Sequence, residues 1–406
     1  MPSAISALLD DYGRLCDSAE NSRRLAIWDH PENGLRGETQ WHGIPRLDVA
    51  PGRPAPVTAE CLERMWVAVL GMDIHRYYTD PEYFLEYYLR FKMLKFRRFA
   101  DDTPLTRQIP VCFGVTHEAG MLGQKIFFLP GEEPQFGRAP VYGLEDPLPE
   151  RLDFSKNEYI TTIAMPYYLK VRELAGNEFE TIFPQWYRGP QGTALYVRGF
   201  ENFSLDLYDN PDFAHRLLRF VTEAAKGYAL WLQDFTGKPI GQCDLFNDDI
   251  PLMGPDTYRD FFLAYEQELS DFHGGVAYWH SCGDITKHVP EIEKLRGVSL
   301  LDFGVTMESK DAGIQQLAGP KVLELRVFAK PHIQEAHEEA QKAYLRDIVG
   351  ACRRRGVRRY VIRTSGMSTL LGGEKDIEKL ARWVELAREV QAEKDDMEDP
   401  PRKDRA

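Results

Sequence analysis

The chain has no apolar run long enough to cross a bilayer. Its N-terminus lacks the charged, apolar and small-residue succession of a secretory signal, so a soluble cytoplasmic protein with no membrane partner is expected. Paired cysteines are also missing. The six thiols, Cys16, Cys61, Cys112, Cys243, Cys282 and Cys352, are scattered, which predicts reduced sulfur rather than a disulfide framework. There is no basic face either: the formal net charge is -13, and nucleic-acid binders need cations to displace counterions from phosphates. The one basic cluster, Arg353-Arg354-Arg355 with Arg358 and Arg359, falls at the end of a helical stretch, where cations complement the helix dipole. No GxGxxG or GxxxxGK[ST] follows any strand-like run, so a nucleotide-binding open sheet loses its signature.

What remains is an ordinary globular composition over 406 residues, 43% hydrophobic and 28% charged, sufficient for one large core. Apolar positions repeat helically from Ser3 to Arg24, and Asp29 to Pro56 reads as an irregular lead-in. Ala59 to Ala100 is amphipathic and aromatic-rich, with Asp80-Pro81 placed to start a helix. These first 100 residues read as an N-terminal helical extension. PVCFGVTHEAG suggests a strand entering a loop, KIFFLPGEEPQFG a hairpin arm, and the acidic, Pro-rich stretch near 120–160 an insertion on the rim.

From Phe179 the pattern becomes regular. ETIFPQWYRGP and TALYVRG are strand-like, and Asn210-Pro211 opens a long helix to about Phe235. The runs PIGQCDLF, VAYWHSCG, SLLDFGV, KVLELRVF and RRYVIRTSG then alternate with helices, the last spanning Glu374 to Ala392. Such alternation demands parallel strands joined by right-handed crossovers. The expected fold is therefore α/β: a (β/α)8 TIM barrel over 101–392 with the N-terminal helical extension, the rim insertion, and a flexible charged tail at 393–406.

In such a barrel, side chains at strand C-termini line the active site. VAYWHSCG ends there in His280 and Cys282. Residues i and i+2 share a face roughly 6 to 7 Å apart, so imidazole and sulfur either converge on one metal ion or serve as packing, with Trp279 turned the other way. A catalytic zinc site needs a third protein ligand, and Cys243, at the end of the preceding strand, is either that ligand or a thiol packed in the core. Asp244, Asn247, Asp248 and Asp249 crowd one loop. Like-charge repulsion there either raises one carboxyl into general-acid range or is relieved by solvent and helix capping. Asp302 ends the next strand, positioned as proton donor, ligand or orienting group. His117 and Glu118 are candidates to close over the mouth. Trp186, Tyr187, Asn247 and Trp279 are candidate substrate contacts.

The run WHSCGDITKHVPEIEKLRGVSLLDFG resembles the H-x-C-G segment of the uroporphyrinogen decarboxylase-like superfamily, and in particular its cobamide-dependent methyltransferase branch. QWYRGPQGTALYVRGFENFSLDLYDNPDFAHRLL and CDLFNDDIPLMGPDTYRDFFLAYEQEL extend the resemblance over about Phe179 to Glu385. It implies a barrel in which His280 and Cys282 bind zinc, a methyltransferase or demethylase activity on a small-molecule substrate, and a cobamide carried by a partner corrinoid protein. The chain itself lacks a D-x-H-x-x-G cobamide motif. The branch's later zinc cysteine is replaced here by RTSGMSTL, so Ser365, Gly366 or Met367 stands in its place. The superfamily's other chemistry is metal-free decarboxylation of a porphyrinogen or related aromatic acid. That branch relies on an R-Q-A-G-R segment, which this chain lacks. A non-catalytic binding barrel is the third reading. A homodimer is the default assembly.

Overall fold

The computed structural model describes residues 4–28, 46, 54–302, 304, 306–316 and 321–393. The expected tail, beyond Glu393, and nearly all of the expected lead-in lie outside these residues. Ten strands are described: β1 (Val57–Thr58), β2 (Gln108–Pro110), β3 (Ile126–Phe127), β4 (Gln135–Phe136), β5 (Glu180–Ile182), β6 (Cys243–Phe246), β7 (Val276–His280), β8 (Val298–Asp302), β9 (Val322–Val327) and β10 (Tyr360–Thr364).

Strands β6 to β10 form a continuous parallel sheet, and β10 pairs with β1. Strand β2 pairs in parallel with β5, and a parallel bridge from Arg188 to Phe246 joins that pair to β6. Strand β1 is tied to the segment leading into β2: Asp102 N–H donates to the Val57 carbonyl at 2.8 Å, Val57 N–H to Asp102 Oδ2 at 2.8 Å and Ala59 N–H to Asp101 Oδ2 at 2.9 Å. Eight positions thus surround one axis, as the alternation predicts. Strand β1 lies within the first 100 residues, the stretch read in sequence as a helical extension, and pairs with β10. At two residues it carries too little periodicity to be seen in sequence. The hairpin of β3 and β4 sits where the rim insertion was expected. Among the described residues no helix is long and apolar enough to cross a membrane.

One strand-like run folds differently. TALYVRG lies in a helix, Pro190–Arg198, entered through extended Gly189 with Pro190 in its first turn. Nearly every residue of this helix is buried, and a helix buried all round has the same apolar run as an inner strand. The helix Pro211–Thr236 forms as expected, but the Asn210 side chain donates to Asp206 Oδ1 at 3.1 Å instead of capping it.

Period-two alternation sorts the strand residues into two environments. Leu245, Trp279, Leu301, Leu323 and Ile362 point outward into the apolar layer beneath the helices, while Phe246, Tyr278, Leu300, Val322 and Val361 pack together inside. Above this small apolar plug the interior turns ionic. Arg363 donates to Glu324 Oε1 at 2.5 Å and to Tyr278 Oη at 2.9 Å, and pairs with Glu60 on its other side. Tyr278 O–H donates to the same Glu324 oxygen at 2.7 Å. Arg326 Nε stands 3.2 Å from Asp302 Oδ2, and its Nη2 donates to the Ser281 carbonyl at 2.9 Å. Three buried carboxylates therefore face two guanidiniums and the imidazole of His280. Deleting one member of a buried pair leaves its partner charged in low dielectric. Arg363→Met is expected to cost about 3–5 kcal/mol, read from the midpoint of urea denaturation at constant slope.

Candidate metal centre

Register places the centre. Phe246 lies opposite His280 and His280 opposite Asp302, so the residues just past the ends of β6, β7 and β8 meet at the C-terminal rim. Asn247 N–H donates to the His280 carbonyl at 2.8 Å, extending the ladder by one bond and presenting Asp248 beside the His280 ring. His280 Nε2 is 3.1 Å from Asp248 Oδ1 and 3.3 Å from Cys282 Sγ. One ligand atom from each of Asp248, His280 and Cys282 lies within 4.8 Å of the others.

The other ring nitrogen, Nδ1, is 2.7 Å from Asp302 Oδ2. Asp302 is fully buried and also accepts from Gly304 N–H at 3.0 Å through its second oxygen. Gly304 has φ +94°, and a Cβ there would overlap the Gly283 carbonyl, so glycine lets the loop after β8 press against the loop after β7. Burial pushes the Asp302 carboxyl up, but Arg326 and His280 outweigh it and hold it ionised. Burial and Arg326 push His280 down, yet its hydrogen bonds to Asp248, Asp302 and Cys282 prevail and hold the ring protonated well above its ordinary range. Asp248 is likewise drawn down against burial by His280 and Arg188, whose Nη2 lies 3.4 Å from Asp248 Oδ2. The centre therefore gathers anionic groups around the His280 imidazolium.

The donor set tests well against zinc. One oxygen, one nitrogen and one sulfur give three protein ligands, the number that leaves a catalytic position open, and Cys282 is exposed on the solvent side. A carboxylate behind the ligating histidine is the usual orienting partner.

Several residues expected at the mouth lie elsewhere. Cys243 opens β6 at the opposite end of the barrel, roughly 10 Å along the strand from Phe246. Its side chain packs in the outer layer with Sγ 3.7 Å from the Gly275 carbonyl, so it does not meet His280 and Cys282. Asp244 lies beside Tyr278 in the ladder, below the centre, and lines a separate cavity. Trp279 is fully buried under the helices, where its indole N–H donates to Glu266 Oε2 at 3.0 Å; strand alternation excludes it from the substrate side. His117 does not close over the mouth. It is buried with Nε2 3.0 Å from Tyr228 Oη and Nδ1 3.4 Å from Tyr159 Oη, and burial lowers it to about 3, leaving it neutral. Glu118 is buried too, and its Oε1 accepts the N–H groups of Tyr187 at 2.9 Å and Arg188 at 3.1 Å, pinning that segment to the wall. Tyr187 packs inside the barrel with its hydroxyl on the Gly114 carbonyl, and half-buried Trp186 donates to the Arg188 carbonyl at 3.1 Å. The Asn247 side chain is buried against Gly189, where a Cβ would overlap its amide oxygen. Asp302 stands behind the imidazole as an ionised orienting group, which removes it as a proton donor.

Two participants escaped the sequence reading. Asp248 was legible only as part of an acidic loop, although the parallel ladder itself predicts that residues following Phe246 and His280 adjoin. Arg326, mid-strand in LELRV, carried no signal beyond a charge at an inward position.

A family model for uroporphyrinogen decarboxylase (URO-D) matches residues 64–323. The chain belongs to that family. Among solved structures, a methyltransferase from Methanosarcina mazei superposes with a TM-score of 0.58 at 16% identity, covering 90% of this chain and 98% of the other. No curated protein sequence matches.

Glu266, which receives Trp279 and also Tyr258 O–H at 2.8 Å, is pushed up by burial to about 7. Its folded value exceeds the unfolded one of 4.5. The folded state thus retains a proton that the unfolded chain releases, and the resulting stability is complete below pH 4.5 and lost as pH rises through 7. Glu266→Gln keeps an acceptor without the charge. Its stability relative to wild type is expected to rise by about 3 kcal/mol between pH 4.5 and 8, measured by urea denaturation across that range.

Proposed function

We propose that the protein is a zinc-dependent methyltransferase or demethylase of its family, acting on a small-molecule substrate and exchanging the methyl group with a corrinoid held by a separate protein. The observation that carries this reading is the convergence of Asp248, His280 and Cys282 at the C-terminal rim with the Asp302 carboxylate behind the imidazole. Family membership and the methyltransferase among its structural neighbours support the reaction class.

Asp248, His280 and Cys282 would hold the ion. A bound zinc ion supplies Lewis acidity, lowering the pKa of a thiol or polarising a methyl donor. The chain's own residues do the rest. Asp302 fixes the imidazole plane and keeps a proton on Nδ1, so Nε2 faces the other two ligands. Arg326 and Gly304 N–H hold Asp302 in place, and Arg188 braces Asp248. In the transfer, the acceptor thiol releases its proton, its sulfur forms the new bond to the methyl carbon, and the electron pair of the broken methyl bond leaves with the donor. A carboxylate in place of the branch's second cysteine makes the ligand set harder, with less negative charge donated from sulfur.

Reconstituted wild type is expected to hold about one zinc per chain by elemental analysis, in line with a single three-ligand site. Asp248→Ala and Cys282→Ala should each lose the metal, Cys243→Ala should retain it, and Asp302→Asn should bind about 10–100-fold more weakly. Zinc-dependent transfer of methyl from methylcobalamin to 2-mercaptoethanol, followed by the corrinoid absorbance, is the matching activity. Zinc retained in Asp248→Ala would remove the proposed ligand set. Decarboxylation of a porphyrinogen or aromatic acid that persists under chelation would replace methyl transfer with the family's metal-free chemistry.

A further inference from the structure

The barrel wall is incomplete between β5 and β6. Strand β5 is laddered to β2 and β6 to β7, and among the described residues the bridge joining the two sides is Arg188 to Phe246, near the C-terminal end of β6. Below that bridge, toward the N-terminal face, the gap widens into a cavity of about 740 Å³. The helix Met165–Ala175, the helix Pro211–Thr236 and the connections leading into β5 and β6 enclose it. None of Asp248, His280 and Cys282 lines it. Its volume lies within the range of pockets that bury a small organic molecule.

The lining is specific. Tyr168, Phe179, Phe183, Trp186, Tyr228 and Phe235 supply aromatic surface. Ala225 and Ala229, on the same stripe of the long helix as Tyr228, leave the space between them open. Polar groups mark two levels. At the buried side stand Asp244 and Thr181, and the Thr181 hydroxyl, in a residue only 8% exposed, has no hydrogen-bond partner among the described residues. That hydroxyl can donate to or accept from a group held within the cavity. At the solvent side, Lys238 is neutralised by Glu180, whereas exposed Arg172 has no ion-pair partner among the described residues.

We infer that this cavity is a second small-molecule site, separate from the metal centre, that takes a planar aromatic carboxylate bearing a hydroxyl or amino group at its far end. The rings stack on or abut the aromatic walls, where offset and edge contacts both favour a flat π-system. The carboxylate meets Arg172 at the rim, where a guanidinium offers a two-pronged match. The distal hydroxyl or amine donates to Asp244 and meets the Thr181 hydroxyl. The inference stands independently of the methyl-transfer reading.

The test uses 6-hydroxy-2-naphthoate with the full-length protein, followed by calorimetry and by quenching of tryptophan fluorescence, since Trp186 forms part of the wall. Saturable binding of one probe per chain is expected. Ala229→Trp, which fills the cavity, should weaken it at least tenfold, and Gln233→Trp at the rim serves if the first variant does not fold. Arg172→Gln should weaken the naphthoate at least fivefold while leaving 2-naphthol unchanged, and 2-naphthoate, lacking the hydroxyl, should bind more weakly than the probe. Chelation and Cys282→Ala should leave the probe's affinity unaltered. Absence of saturable binding, equal affinity in the filled variants, or loss of binding on chelation would each overturn the assignment, the last by placing the probe at the metal centre.

Discussion

The hydrogen bond between His280 Nδ1 and the buried Asp302 carboxylate governs the arrangement of the rim. It is 2.7 Å long and lies between neighbouring parallel strands, so its geometry is set by register rather than by a loop. Asp302 can remain ionised at that depth because Arg326 and the Gly304 amide share its charge. With Nδ1 committed inward, Nε2 is the face the ring turns toward Asp248 and Cys282. An apolar residue at 302 would leave Arg326 a buried cation without its carboxylate and His280 with Asp248 alone, so the centre and the ionic layer below it are one electrostatic unit.

That unit explains why the barrel interior departs from the branched apolar layers usual in this fold. Among the described residues, a small apolar plug with Phe246, Tyr278, Leu300, Val322 and Val361 fills the inside. Above it, each charge is satisfied by a residue on a neighbouring strand, from Glu60 beyond β1 around to Asp302 on β8. A shift of one residue in any of these strands would turn an ionised side chain into the outer apolar layer. The charges thus specify register as strongly as the hydrophobic pattern does.

Much of the architecture was legible because β6 to β10 and the helices between them keep their two periods cleanly, and His280 and Cys282 were legible because alternation and strand-end position fix their direction. What was missed has identifiable physical causes. Val57–Thr58 is too short to display a period, and Pro190–Arg198 is a helix buried on all sides. Cys243 has the sulfur a zinc ligand needs, but it begins β6 and so lies at the far end of the strand. The place where the resemblance implies another cysteine is occupied structurally: Ser365 Oγ accepts the Ala329 amide at 2.9 Å, and buried Met367 bridges to Cys61. Asp248, just past the end of β6, is the carboxylate that lies beside His280 and Cys282, a neighbourhood visible only once adjoining strand ends are aligned.

The exposure of Cys282 has a consequence for handling the molecule. Of the six thiols it alone is exposed; Cys112 is partly covered and the other four are buried. Peroxide or an alkylating reagent will therefore meet this sulfur first, and conversion to a sulfenic or sulfinic acid replaces a soft donor with an oxygen-bearing one. Preparations exposed to air are therefore most vulnerable at this sulfur, and a metal bound there would shield it.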